Sequence, residues 1–106
     1  MFPTADQIAF AIVMACRLAG TNPVLTALGQ VAQRESRGRH IAFAALVDAF
    51  PDARRISIAR CCGYGSGMGS AASNLPTYRK TAWWREAWID EIVGAVVADQ
   101  YGDQAQ

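Results

Sequence analysis

Apolar side chains in this chain recur at spacings of three and four, and stretches that alternate with a period of two are few. A strand turns alternate residues toward its core and a helix every third or fourth, so the pattern predicts an all-α fold. Phe43, Leu46, Val47 and Phe50 are the cleanest case, falling at i, i+3, i+4 and i+7 and leaving Asp48 on the outer side. At 106 residues the chain is long enough to bury one core without metal or disulfide staples, and it shows no internal repeat or linker. A single domain over residues 4–99, built of about six helices, is expected, with 100–106 as a frayed tail.

Glycine, proline and capping residues divide the pattern into elements. Thr4 is placed to cap a first helix from about Ala5 to Leu18, closed by Gly20. Its stripe is Ile8, Ile12, Ala15 and Ala19, widened by Phe10, Met14 and Leu18, a surface broad enough to imply deep burial or a partner. Thr21-Asn22-Pro23 suits the start of a short helix to about Gly29, and the polar stretch from Gln30 to Ser36 suits a loop. Ser36 can cap a third helix from Arg37 to about Phe50, ended by Pro51, and Asp52 a fourth from Ala53 to Cys62. A fifth helix, from about Ser66 to Leu75, is stopped by Pro76. The last runs from about Thr77 or Thr81 to Ala98, with Trp84, Trp88, Ile92 and Ala95 on one stripe and Ile89, Val93 and Val96 beside it.

Within this order the run from Ile56 to Tyr64 carries the most. Ile58 and Cys62 are four apart and share a face, and Ala59 offers a small contact point for a crossing helix. Gly63 falls where the helix would end, because glycine enters the left-handed conformation without steric cost. Four glycines occupy residues 63–69. Each costs roughly 1 kcal/mol inside a helix, so the next helix starts near Ser66 and depends on packing. A short helix, a glycine turn and a second helix of small residues is the order of a helix-turn-helix, whose second helix is offered to a DNA groove. Met68, Ala71, Ala72 and Leu75 would face inward there, with Ser66, Ser70, Ser73 and Asn74 outward.

The formal charge of +1 conceals a strong asymmetry. Residues 1–33 hold Arg17 against Asp6; residues 34–80 hold eight basic side chains against three acids, giving +5; residues 81–106 hold one against five, giving −4. A basic middle that contains the helix-turn-helix points to a polyanionic partner. Cys16, Cys61 and Cys62 have no metal-ligand spacing and read as reduced, small apolar residues of a cytoplasmic protein. The longest apolar run, Ile8 to Cys16, is too short to span a bilayer, and no basic segment precedes it as in a secretory signal.

The run Ser36-Arg37-Gly38-Arg39-His40-Ile41-Ala42-Phe43 resembles the Arg-Pro-Arg-(Gln/His)-(Ile/Met)-Ala-Met stretch of the DNA-binding domain of the replication initiator DnaA. Arg37, Arg39, His40, Ile41 and Ala42 fit in place, and Gly38 stands where that family has proline. Gly65-Ser66-Gly67-Met68 followed by a small-residue helix is similar to the Trp repressor, which shares that fold family. The resemblance implies a basic loop feeding a helix ahead of the helix-turn-helix. The Arg-Asp-His-Thr-Thr signature that reads the replication-origin box is absent, its place taken by Gly65-Ser66-Gly67-Met68-Gly69, and there is no ATPase motif. The chain also looks like the stand-alone DnaA-like activators of alphaproteobacterial gene transfer agent clusters, in size and general pattern.

These features select the residues that would touch double-stranded DNA. Arg37, Arg39 and His40 at one helix start, Arg54 and Arg55 at another, and Arg79 and Lys80 after the recognition helix would meet phosphates. For His40 packing beside the loop is the slightly favoured reading, Arg60 can pair with an acid, and every arginine can be ordinary surface. Ser66, Gly67, Ser70, Ser73 and Asn74 are the groove-facing positions. No Arg, Lys or Gln lies on that helix, so affinity would come mainly from phosphates and specificity from DNA shape, a dimer or a second protein. The single histidine, scattered acids and cysteines offer no catalytic or metal constellation, and no cofactor is implied. The expected function is a sequence-selective transcription regulator, an activator associated with the nucleoid. The alternative is an adaptor that uses the apolar first helix and Trp83, Trp84 and Trp88 to hold RNA polymerase or a co-activator. A homodimer or a second transcription factor is open as a further partner.

Overall fold

A computed structural model describes residues 1–24, 36–64 and 75–105, the last seven by backbone alone. The described residues form helices and turns with no strand, as the apolar spacing predicts. The segments expected as the remainder of the helix after Pro23, the loop from Gln30, and the glycine-rich helix from Ser66 lie outside them.

Helix α1 (Ala5–Ala19) begins and ends on the residues that the sequence marks. The Thr4 hydroxyl accepts from the Gln7 N–H at 3.1 Å while the Gln7 side-chain oxygen accepts from the Thr4 N–H at 2.8 Å, a reciprocal capping box. Gly20, at φ 74°, closes the helix in the left-handed region, and the N–H groups of Gly20 and Thr21 both turn back to the Cys16 carbonyl. The buried face differs from the expected stripe. Ala11, Ile12, Ala15 and Cys16 are fully or almost fully covered, while Ile8, Met14, Leu18 and Ala19 are only partly so and Phe10 is exposed. The reason is close approach: a Cβ added at Gly38 would stand 2.6 Å from the Cys16 sulfur and 2.4 Å from the Thr21 hydroxyl. Small residues line that seam because larger ones would hold the helices apart.

Helix α2 (Arg37–Ala49) is the centre of the molecule. It packs against α1 along that seam and also against the two helices that follow. Phe43, Leu46, Val47 and Phe50 are buried and Asp48 exposed, as their spacing requires, but every residue of 41–47 is buried, which a single stripe does not foretell. Ser36 does not cap α2: it has helical backbone angles, and its hydroxyl pairs with the His40 ring instead.

Helix α3 (Arg55–Cys61) starts two residues later than expected. Pro51–Ala53 form a turn held by the Ala53 N–H on the Phe50 carbonyl, and Arg54, not Asp52, stands at the N-cap with no side-chain cap bond. Ile58, Ala59 and Cys62 are buried and Gly63 has φ 91°, as the sequence predicts. Cys61 is exposed while Cys16 and Cys62 are buried, and none of the three cysteines is disulfide-bonded.

Pro76 does not end a helix. Residues 75–78, Pro76 among them, are helical, and Leu75 beside it is buried. Helix α4 (Glu86–Ala105) begins five residues after Thr81 and continues past Ala98 through the stretch expected to fray. Trp84 therefore precedes the helix. The residues from Thr81 to Arg85 form turns, stabilised by the Thr81 hydroxyl on the Tyr78 carbonyl at 2.6 Å and the Arg85 guanidinium on the Ala82 carbonyl at 2.7 Å. Ile89, Ile92 and Val96 carry α4 onto the core, joining Ile41, Phe43, Leu46 and Ile58.

Candidate nucleic-acid interface

The basic residues singled out in the sequence fall into separate places. Arg37, Arg39 and His40 open α2, while Arg54 and Arg55 follow its other end. The nine helical residues 41–49 that lie between them span about 14 Å at 1.5 Å per residue. They do not converge on one point.

His40 lies inside an aromatic cluster. Its ring stacks on Tyr78 at 3.9 Å between centroids and lies 5.7 Å from the Tyr64 ring, which in turn meets Phe43 edge-on at 5.4 Å. The Tyr64 hydroxyl bonds to Nδ1, and Nε2 bonds to the Ser36 hydroxyl at 3.2 Å. A neutral imidazole satisfies both contacts, accepting the Tyr64 proton and donating to Ser36. Burial, with the Arg39 charge adding to it, pushes the His40 pKa down to about 4, and burial pushes the Tyr64 phenol upward. The described contacts of His40 are thus to Ser36, Tyr64 and Tyr78 within the protein.

Arg39 turns toward the same cluster. Its guanidinium lies 5.2 Å from the Tyr64 ring centroid, and Nε and Nη2 are buried without an acceptor among the described residues. Arg37 is half-buried with its guanidinium 5.2 Å from the Trp83 ring. Arg79 is drawn inward by acids, at 2.9 Å from Asp48 and 3.5 Å from Glu86, and so joins α2 to the start of α4. Arg54, Arg55 and Lys80 are exposed and make no ion pair among the described residues. Ser66, Gly67, Ser70, Ser73 and Asn74 lie outside the described residues.

Sequence reasoning missed the cluster of His40, Tyr64 and Tyr78. Its members are far apart along the chain, and no spacing links them to one another. It also placed Trp83 and Trp84 on one helix. In the structure they precede α4: Trp84 is 6% exposed and its indole N–H donates to Glu86 at 3.0 Å, whereas Trp83 sits half-buried beside it under Arg37.

Among the described residues no group of His, Cys, Asp and Glu is placed to hold a metal, and no helix is long and apolar enough to cross a membrane. Comparison with protein-family models, with curated proteins and with solved structures finds no match to this chain.

Proposed function

We propose that this protein is a double-stranded DNA-binding transcription regulator, an activator, that holds phosphates with exposed arginines and offers the segment after Gly63 to the major groove. The observation that carries this reading is the pair Arg54 and Arg55, exposed and without an acidic partner among the described residues, leading a short helix that ends in a left-handed glycine turn. The excess of positive charge over residues 34–80 and the DnaA-like run around Arg37 support it. Lys80 supplies a further exposed cation, whereas Arg39 and Arg79 are engaged within the protein and contribute less.

Titration of labelled duplexes from a random pool, at several salt concentrations, tests the proposal. A DNA binder loses affinity steeply as salt rises, because phosphate contacts release counterions, and selection enriches a preferred sequence. The adaptor reading has its own support in the apolar residues exposed on α1, and it predicts no binding to any duplex at any salt.

A further inference from the structure

Helix α1 carries a second face, opposite its buried one, that is neither polar nor random. Asp6, Phe10, Val13 and Arg17 follow at spacings of four, three and four, so all four fall within about 60° of one another around the helix. All are exposed, Phe10 at 45% and Val13 at 43%. Two apolar side chains thus occupy the middle of the face, with an acid at one end and a base at the other. Neither Asp6 nor Arg17 makes an ion pair among the described residues.

We infer that this face is the contact between two copies of the chain, packed with their α1 helices antiparallel about a two-fold axis. An isologous contact requires that if residue i meets residue j, then j meets i. Here one register meets that condition at every position of the face. Placing the axis between Ala11 and Ile12 sets Asp6 against Arg17 of the second copy and Phe10 against its Val13, each twice. A parallel pairing would instead set Asp6 on Asp6 and Arg17 on Arg17. A depression of about 250 Å³ lined by Asp6, Gln7, Phe10 and Val96 adjoins the face. It accepts the aliphatic stem of the second copy's Arg17, whose guanidinium then reaches Asp6. Phe2 precedes α1 and Val24 follows it, both exposed, and the same arrangement turns the Phe2 end of one copy toward the Val24 end of the other.

A single helix face covers far less than the roughly 800 Å² per partner of a standard interface, so the dimer is weak and forms at micromolar or higher concentration. Sedimentation equilibrium of the full chain over a wide concentration range reads it directly. The wild type is expected to shift from monomer to dimer as concentration rises. Asp6→Arg and Arg17→Asp each turn two attractive pairs into two repulsive ones, and each is expected to weaken association by about tenfold. An equimolar mixture of the two variants restores every pairing and is expected to dimerise like the wild type. Both changes oppose the α1 dipole, so circular dichroism checks that each variant keeps its helix content. The inference is overturned by a wild type that stays monomeric throughout, or by folded single variants whose mixture associates no better than either alone.

Discussion

The imidazole of His40 lies nearly flat on the Tyr78 ring, 3.9 Å between centroids and 16° from parallel, and ties the first turn of α2 to the helical turn at 75–78. Together with the Tyr64 hydroxyl on the other side, this places one neutral ring between two segments distant in sequence. A charged ring there would lose its acceptor nitrogen and its hydration at once.

Acid should therefore weaken the fold through His40. The unfolded chain takes up its proton near 6.5 and the folded protein resists it down to about 4, so the unfolded state binds more protons between those values. Stability falls as pH is lowered through that window and is indifferent to His40 above it. The loss is roughly 2–3 kcal/mol. Urea unfolding at pH 7 and pH 4.5 measures it. His40→Gln should start less stable but show a shallower acid slope, and parallel slopes in the two proteins would refute the assignment.

Gly38→Ala should destabilise more than Gly20→Ala, although only the second position has a left-handed backbone. Gly20 has open space around it and loses about 1 kcal/mol to backbone strain. A methyl at Gly38 meets the Cys16 sulfur, the Thr21 hydroxyl and the Cys16 Cα at 2.6, 2.4 and 3.0 Å, so α1 and α2 must separate. Overpacking of this kind costs about 1–3 kcal/mol, and the whole seam is affected. Thermal unfolding of the two variants ranks them, and a milder Gly38→Ala would show that the helices yield.

Adjacent tryptophans should respond very differently to alanine. Trp84 is buried and hydrogen-bonded, and its loss should cost about 3–5 kcal/mol. Trp83 is half-buried under Arg37, and truncating it should remove a contact of about 0.5–1 kcal/mol together with some packing. Denaturant midpoints for the two variants test the order.

If the protein binds duplex DNA as proposed, Arg54→Ala with Arg55→Ala should flatten the logarithmic salt dependence by as much as about 2 units, close to 0.9 per lost phosphate contact. Arg79→Ala should leave that slope nearly unchanged, because its guanidinium is held by Asp48 and Glu86, and should lower stability by about 0–1 kcal/mol. Fluorescence anisotropy over a salt series distinguishes them.

Local signals carried the helix ends well and long-range ones hardly at all. Thr4 with Gln7, and Gly20, bound α1 through contacts three to five residues long, and Gly63 takes the positive φ that its place after Cys62 suggests. Ser36 and Asp52 had the chemistry of caps, but the hydroxyl of Ser36 found His40 and the turn after Pro51 moved the start of α3 to Arg55. Periodicity ran α4 back through Trp84 because Trp84, Trp88 and Ile92 keep a helical spacing. The structure has a turn there instead, with Trp84 bonded to Glu86 and Arg79 reaching both Glu86 and Asp48. The basic residues were visible as a regional excess. Which of them remain outward depended on aromatic and acidic neighbours that no spacing announces.

Burial of α2 over seven consecutive positions, 41–47, has a consequence for how the protein tolerates change. A map of substitution tolerance along a surface helix rises and falls once per turn. Along α2 it should stay low without oscillation from Ile41 to Val47, with Ala42, Ala44 and Ala45 refusing larger side chains as firmly as Phe43 refuses smaller ones, and should recover only at Asp48. Sequence drift in this molecule is therefore steered onto its outer helices, and the central one behaves as a block that changes as a whole or not at all.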